Sequence, residues 1–306
     1  VISPLATGKE APPRLSVVVP VHNGEEFLPT CLKSIFAASG SVSREVIVVD
    51  DGSVDGTEKI ARQFPCRYFK IRKAGVAAAR NVGIKEARGE IVLFFDADVQ
   101  ILENTIERFL RHFETDEDAD IIQGRWYKKS LSPSFSSRFL VLKYTFNFLK
   151  LFEGRKRFKT GNLETGCLGM RAGVFHYFKG FDEGYKLSGG EEHELGTRLL
   201  HRHPIYYYRD IFVRHAFGSL FQTMRKIYRR TFNFSILYFN NRRKKFLDLH
   251  KSSLPLQDKI SVIIIAGLAA AGLLFFFSSG FALASIALLI ILYLINILKF
   301  FFFLAR

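Results

Sequence analysis

Apolar runs alternate with amphipathic segments along the first 122 residues of this 306-residue chain. Within the runs, bulky apolar residues follow one another without polar alternation, which is typical of strands buried on both faces. Between the runs, apolar residues recur at helical spacing. The predicted strands are 15–21, 45–49, 67–71, 91–95 and 120–122, and the predicted helices are 25–38, a short one opening at 55–57, 76–87 and 103–113. This order predicts an α/β fold with a mainly parallel central sheet.

The last part of the chain has a different pattern. Residues 260–277 carry no charge, a short break follows at 278–280, and residues 281–298 are again uncharged. A helix of such a length spans about 27 Å, close to the hydrocarbon thickness of a bilayer. The pattern predicts a transmembrane hairpin, with helices at about 260–277 and 281–303. The alternative is a re-entrant or interfacial hairpin.

Basic residues precede the predicted hairpin and orient it. Because positive residues stay on the cytoplasmic side, we expect a multi-pass protein of the cell membrane whose large N-terminal part faces the cytosol. The start of the chain shows no apolar core of a signal peptide. The basic residues of this segment, set against the single acid Asp248, are Arg225, Lys226, Arg229, Arg230, Arg242, Arg243, Lys244, Lys245 and Lys251.

The formal net charge of +15 would suit either a nucleic acid or an anionic membrane. Since the chain carries predicted membrane spans, we interpret the excess of positive charge as suited to an anionic membrane surface. We expect no nucleic-acid partner. Segment 125–159 has apolar residues at near-helical spacing with basic residues between them. This pattern predicts an amphipathic helix that lies either on a membrane or on the domain itself. The three cysteines, Cys31, Cys66 and Cys167, show no paired spacing, which indicates ordinary reduced thiols.

Polar side chains follow three of the predicted strands, at the point where each strand ends. They are His22, Asn23, Asp50, Asp51, Asp96 and Asp98. Ligands of open parallel sheets bind in the crevice beyond the carboxyl ends of the strands, so we expect these side chains to converge. Two carboxylates directly after an apolar strand, at Asp96 and Asp98, suit a hard divalent ion such as Mg²⁺ or Mn²⁺. The alternative is that they only cap the strand end and the next turn.

Two common classes of α/β enzyme are disfavoured because their phosphate-binding loops are missing. The first concerns the turn after the first predicted strand. It lacks the glycine-rich fingerprint that lets a pyrophosphate approach the backbone, and no Walker-type loop occurs in the chain. Dinucleotide-dependent hydride transfer and P-loop hydrolysis are therefore poor candidates.

Six motifs, in order, resemble those of the family 2 glycosyltransferases, whose members have the GT-A fold and use nucleotide-sugar donors. They lie at 17–25, 48–57, 79–83, 89–98, 180–183 and 191–199. The resemblance implies a GT-A-type nucleotide-sugar-binding domain over residues 14–230. Around it we expect an N-terminal tail at 1–13, a basic juxtamembrane segment at 231–258 and the two transmembrane helices within 259–306.

The same resemblance implies which residues contact the donor. The base and ribose would lie against Pro20, Val21, Asn23 and Glu25. Hydrogen bonds to the base would come from Asp51 and also from Asp50. The donor diphosphate would be bound by Lys73 and Arg80, since cations there complement its charge. For these two cations, a solvated helix face is the alternative.

The metal and the general base are implied in the same way. Asp96, which would also touch the nucleotide sugar, and Asp98 resemble the family's metal-binding pair for Mg²⁺ or Mn²⁺. His215 resembles a histidine that completes the metal shell in some relatives. Glu192 resembles the general base that deprotonates an attacking hydroxyl, and Glu191 remains the alternative. Acids at the start of a helix would also be explained by the helix dipole alone.

These implications lead to a membrane-anchored, inverting glycosyltransferase that moves a sugar from a nucleotide-sugar donor, UDP-linked by family frequency, to a hydroxyl of a lipid-linked glycan or polysaccharide. The nearest alternative is a polyprenyl-phosphate sugar synthase, which the sequence Asp96-Ala97-Asp98-Val99-Gln100 also resembles. A phosphate acceptor needs no base, so the acids at 191–194 favour a hydroxyl acceptor. A non-catalytic nucleotide-sugar-binding membrane protein is the alternative from another class. No pattern in the sequence indicates an oligomeric state.

Overall fold

The computed structural model describes residues 12–38, 42–126, 129–152, 154–185, 190–218 and 221–222. Its strands are β1 Leu15–Val21, β2 Arg44–Asp50, β3 Arg67–Lys70, β4 Ile91–Phe95, β5 Val99–Ile101, β6 Ile121–Trp126, β7 Arg157–Thr160, β8 Cys167–Arg171 and β9 Ile205–His215. Its helices are α1 Leu28–Ala37, α2 Thr57–Ala61, α3 Val76–Glu86, α4 Thr105–Thr115, α5 Phe135–Phe152, α6 Ala172–Tyr177 and α7 Glu191–Leu200. All five strands and all four helices predicted within the first 122 residues are present among them.

All the strands of the described residues join one sheet, in the order β3-β2-β1-β4-β8-β6-β9-β5, with β7 paired to β9. The prediction of a mainly parallel sheet is right for β3, β2, β1 and β4. It is wrong for the other half, where β8, β5 and β7 run antiparallel to their neighbours and only β6 and β9 pair in parallel. The antiparallel strands mix polar and apolar residues, so their sequences show none of the long apolar runs on which the prediction rested.

Helices cover both faces of the sheet and give the domain three layers. Along β1, Val17 and Val19 point into the core beneath α1 and α4, while Val18 points into the core beneath α3, α6 and α7. Successive side chains of a strand alternate between faces, so a strand covered on both faces must be apolar throughout. This explains why β1, β2 and β4 could be recognised from their sequences.

Gly89 shows how closely the chain packs at the start of β4. A Cβ at this position would lie 2.5 Å from the Leu15 carbonyl carbon and 2.6 Å from the Ser16 nitrogen. Since these are backbone atoms, Gly89→Ala is expected to lower the free energy of unfolding by about 1–3 kcal/mol. Thermal unfolding of the purified protein measures the loss.

Gly173, in α6, provides the matched control, because nothing lies within 4 Å of a Cβ built there. Gly173→Ala is expected to stabilise the protein by about 0.5–1 kcal/mol, since alanine restricts the unfolded chain more than glycine does. Equal effects of the two substitutions would contradict the close packing at Gly89.

Among the described residues, no helix combines the length and the apolar composition needed to cross a membrane. The predicted spans at 260–277 and 281–303 and the basic segment at 231–258 lie outside the described residues, so they stay predictions. The predicted amphipathic helix within 125–159 corresponds to α5, which packs against β6 and β7.

Candidate active site

The loops after β1 and β4 meet the N-terminal turns of α3 and α7 around a cavity of about 300 Å³. The cavity is lined by Pro20, Val21, His22, Asn23, Gly24, Phe27, Val76, Arg80, Asp96, Ala97, Asp98, Glu191 and Glu192. Eight of the predicted site residues are therefore brought together: Pro20, Val21, Asn23, Arg80, Asp96, Asp98, Glu191 and Glu192. The other five, Glu25, Asp50, Asp51, Lys73 and His215, do not line it.

The loop after β1 is held by the loop after β2. The two strands run parallel, with Val21 opposite Asp50, so the loops that follow them are adjacent. Asn23 has a φ of 51°, a left-handed conformation that asparagine tolerates. Its backbone N–H donates to Ser53 Oγ at 2.8 Å, and its Oδ1 accepts from the Val54 N–H at 3.0 Å. These bonds fix the shape of one wall of the cavity.

Asp50 and Asp51, predicted to bond the base, are engaged within the protein. Asp50 is fully buried and accepts from the Ser53 N–H at 2.7 Å and from the Tyr68 hydroxyl at 2.6 Å. Asp51 accepts from the backbone N–H groups of Ala74 at 2.6 Å and Gly75 at 3.0 Å. Gly75, whose φ is 104°, is thereby held just before α3. In this structure Asp50 holds the loop that follows β2, and Asp51 holds the loop that follows β3.

Glu25 and Lys73 lie beside the cavity. Glu25 accepts from the Gly56 N–H at 2.9 Å and donates its own backbone N–H to Asp55 at 3.0 Å. The Lys73 ammonium lies 3.0 Å from Nε2 of His22, which lines the cavity. Lys73 thus lies next to a residue of the cavity wall.

Arg80 is the buried cation at the base of the cavity, and its partners are carboxylates. It follows Val76 by one helical turn, so both residues face the cavity. Its guanidinium is 3.0 Å from Asp96 Oδ1, 3.1 Å from Glu191 Oε1 and 3.7 Å from Glu192 Oε1. Burial alone would lower the pKa of Arg80, but the three carboxylates outweigh burial and raise it. Arg80 therefore stays charged and ties α3 to the loop after β4 and to α7.

Asp98 and His215 meet where β5 pairs with the end of β9. His215 Nε2 lies 3.4 Å from Asp98 Oδ2. The imidazole packs between Trp126, at 4.6 Å between ring centroids, and Phe217, at 4.3 Å. Asp98 Oδ1 is buried and has no hydrogen-bond partner among the described residues. Leaving such an oxygen unpaired is costly, so the site is suited to a group that would pair with it.

Glu191 and Glu192 begin α7, where the helix dipole favours acids, but their surroundings differ. The Glu191 side chain is 1% exposed and uses both oxygens, one on Arg80 and one on the Gly190 N–H at 3.0 Å. The Glu192 side chain is 17% exposed. Its Oε1 accepts from the Thr165 hydroxyl and, at 3.3 Å, from the Thr165 N–H. Within the part of the chain that the structure describes, Oε2 of Glu192 accepts no hydrogen bond.

All three cysteines are free thiols. Cys31 lies below the cavity, with its sulfur 3.7 Å from the Asp96 carbonyl oxygen. Burial raises the pKa of the Cys31 thiol well above its usual range, and the negative charges of Asp98 and Asp96 raise it further. Cys31 is therefore a protonated, apolar packing residue, in agreement with the sequence prediction.

Three residues of the site were missed by sequence reasoning. Thr165 orients Glu192, and Trp126 packs on His215. A Cβ at Gly166 would lie 2.6 Å from the Trp126 ring and 3.2 Å from Asp96 Oδ2, so only glycine fits there. Trp126 is the last residue of β6, and Thr165 and Gly166 lie in the turn before β8. No motif marks any of the three.

Comparison with known proteins places the chain in a family. The model of the family described as Glycosyl transferase family 2 matches residues 16–180, more than half of the chain. Glycosyltransferase GlyG of Streptococcus pneumoniae serotype 4 is 34% identical over 119 residues, which cover 37% of this chain and 39% of GlyG. The chain thus matches well under half the length of this relative.

Two solved structures share the fold. S. aureus TarS 1-349 in complex with UDP-GlcNAc superposes with a TM-score of 0.52 at 20% identity, covering 67% of this chain and 60% of that one. The mannosyltransferase PcManGT from Pyrobaculum calidifontis, in complex with GDP-Man and Mn²⁺, gives 0.50 at 20% identity, covering 69% and 59%. These likenesses establish a GT-A-like α/β fold with a mixed sheet. With the family model matched across the motifs that build the cavity, the chain belongs to glycosyl transferase family 2.

Proposed function

We propose that the protein is a metal-dependent, inverting glycosyltransferase, which moves a sugar from a nucleotide-sugar donor to a hydroxyl of a lipid-linked glycan or polysaccharide at the cytosolic face of a membrane. One observation carries the proposal: the same cavity is lined by the carboxylate pair Asp96 and Asp98, by the cation Arg80 and by the carboxylate Glu192. Membership of the family supports sugar transfer, and the UDP-GlcNAc and GDP-Man complexes of the two neighbours support a nucleotide-sugar donor.

Glu192 is the better placed of the two candidate bases. A base must have an oxygen within reach of the acceptor hydroxyl. Both glutamates line the cavity, but Glu191 is buried with both oxygens engaged, whereas Glu192 is partly exposed and its Oε2 accepts no hydrogen bond from a described residue. The Thr165 hydroxyl orients the carboxylate by binding Oε1. Glu192 would accept the proton of the acceptor hydroxyl as the new glycosidic bond forms and the bond to the nucleoside diphosphate breaks.

The residues near Asp98 fit a divalent ion. Among the described residues, no group of three or more histidine, cysteine, aspartate or glutamate side chains forms a complete metal site. Ions of this kind are often held by one or two carboxylates together with substrate phosphates, and Asp98 carries a buried oxygen that no described residue pairs with. Asp96 and Asp98 would hold Mg²⁺ or Mn²⁺, with His215 as an adjacent imidazole. The ion would neutralise charge on the departing nucleoside diphosphate.

Metal binding can be measured without turnover, because Trp126 is the chain's only tryptophan and packs on His215. Paramagnetic Mn²⁺ bound at Asp98 is expected to quench Trp126 fluorescence in the presence of a nucleoside diphosphate. Asp98→Asn is expected to raise the Mn²⁺ concentration at half-quenching by about tenfold or more, since affinity follows ligand charge.

Asp182→Asn is the control for that titration. The Asp182 carboxylate accepts from the Gly184 N–H at 2.9 Å and does not line the cavity. This variant is expected to keep the wild-type Mn²⁺ titration. Quenching that is the same in wild type and Asp98→Asn would place the ion elsewhere.

Transfer itself is tested with the full-length protein in membranes, supplied with labelled UDP- or GDP-sugars and Mn²⁺. Acid-stable label in glycolipid or polymer would support a hydroxyl acceptor. Label released by mild acid would indicate a polyprenyl-phosphate sugar and overturn the proposed acceptor. If all donors bind but none is turned over with acceptor-containing membranes, the protein is a nucleotide-sugar-binding protein without catalysis.

A further inference from the structure

Two of the four large apolar side chains that are exposed in the described structure belong to segments that contact each other. Phe135, the first residue of α5, is 84% exposed, and Phe221 is 78% exposed. The hydroxyl of Ser136 donates to the Gly218 carbonyl at 3.4 Å, and that of Ser137 accepts from the Phe217 N–H at 3.2 Å. Phe221 follows Gly218 by three residues, a reach of at most about 11 Å. The surface formed by these two hydrogen-bonded segments therefore exposes both rings.

This surface is basic. Arg138 and Lys143 are exposed on α5, and neither forms an ion pair with a described residue. The sequence contains no acid between Asp120 and Glu153 and none between Asp210 and Asp248. Exposed aromatic rings beside such cations are suited to the headgroup region of an anionic bilayer.

The sequence that follows Phe221 indicates that the partner of this surface is a lipid bilayer. After Phe221 the sequence continues through the basic segment, with its single acid Asp248, into the uncharged stretch that begins at 260. In the sequence, the segment predicted to reach the membrane therefore follows residues that contact the first turn of α5. We infer that Phe135, Arg138, Lys143 and Phe221, here named the α5 surface, lie against anionic lipid headgroups. The inference deepens the proposed function and rests on its membrane placement.

Aromatic rings in contact connect helix α5 to the candidate active site. Tyr144 of α5 stacks on Phe217, with 5.6 Å between centroids and 13° between planes. Phe217 packs on His215, whose imidazole faces Asp98. An acceptor with its lipid tail in the bilayer would thus be held within a few side chains of the cavity.

The test uses the full-length protein reconstituted in phosphatidylcholine–phosphatidylglycerol vesicles whose acyl chains are brominated near the headgroups. Bromine quenches tryptophan only on close approach. Phe135→Trp is expected to lose most of its added emission in these vesicles relative to unbrominated ones. Tyr177→Trp, which places a tryptophan at an exposed position of α6, is expected to lose none. Trp126 contributes the same background to both variants.

Charge is tested by the double substitution Arg138→Gln and Lys143→Gln in the Phe135→Trp background. It is expected to abolish most of the quenching, whereas Lys85→Gln, at an exposed position of α3, should preserve it. Absence of quenching in Phe135→Trp, or equal quenching in Tyr177→Trp, overturns the inference. Sugar transfer measured in parallel in acceptor-containing membranes separates the two proposals: transfer without quenching contradicts only the contact, and quenching without transfer contradicts only the proposed function.

Discussion

Glu192→Gln is expected to lower the turnover number of sugar transfer by about 10²–10⁴-fold, the usual contribution of a general base. The donor KM should change little, because the glutamine oxygen can still accept from the Thr165 hydroxyl that orients Glu192. Initial rates with labelled donor and saturating Mn²⁺ measure both quantities. Loss of turnover with an unchanged KM identifies a group that acts in the transition state.

Glu194→Gln is the control for that substitution. Glu194 lies on the same helix, pairs with Arg198 at 2.7 Å and does not line the cavity. Its turnover should stay within about threefold of wild type, as expected of an ion pair remote from the chemistry. If Glu192→Gln retained full activity, Glu192 would not be the base. If Glu191→Gln were fully active as well, no base would be needed, which would favour a phosphate acceptor over a hydroxyl.

Arg80→Met is expected to lower the free energy of unfolding by about 3–5 kcal/mol, because it leaves the buried carboxylate of Glu191 without its cation. The Arg80 side chain is 3% exposed and contacts Asp96, Glu191 and Glu192. Thermal or denaturant unfolding of the purified protein measures the loss. Transfer should fall as well, since Arg80 fixes the relative positions of Asp96 and Glu192.

A second substitution separates the charge effect from lost packing. Adding Glu191→Gln to Arg80→Met removes the most buried of the unpaired acids and should restore part of the lost stability. Arg62→Met is the control, since Arg62 pairs with Glu58 on the surface and such pairs contribute at most about 1 kcal/mol. Equal losses from Arg80→Met and Arg62→Met would mean that the buried cluster contributes no more than a surface pair.

The sequence predicted the parallel half of the domain better than the antiparallel half, for a physical reason. Strands β1, β2 and β4 are buried on both faces, so each is a continuous apolar run whose end is visible in the sequence. The polar residues that follow these ends could therefore be predicted to lie in one site. Strand β9 mixes polar and apolar residues, and Thr165 lies in a loop without a motif. Its contact with Glu192 depends on how β8 and α7 pack together.

The same limit applies to the roles of single residues. Arg80 was predicted to bind the donor diphosphate, and the structure shows it already bound to three acids. Asp51 was predicted to bond the base, and its carboxylate holds the backbone before α3. Residue type and position indicated that a charge was needed there, but the partner of that charge depends on long-range packing.

The order of the strands also determines the curvature of the sheet. Between Phe95, the last residue of β4, and Val99, the first of β5, the chain can span at most about 14 Å. Yet three strands separate β4 from β5 in the sheet, and four strand spacings in a flat sheet would amount to about 19 Å. The far half must therefore curl back toward β4, with Asp96-Ala97-Asp98 as the tether that closes the bend. The positions of Asp96 and Asp98 therefore depend on the curvature of the sheet as well as on their neighbours in the sequence.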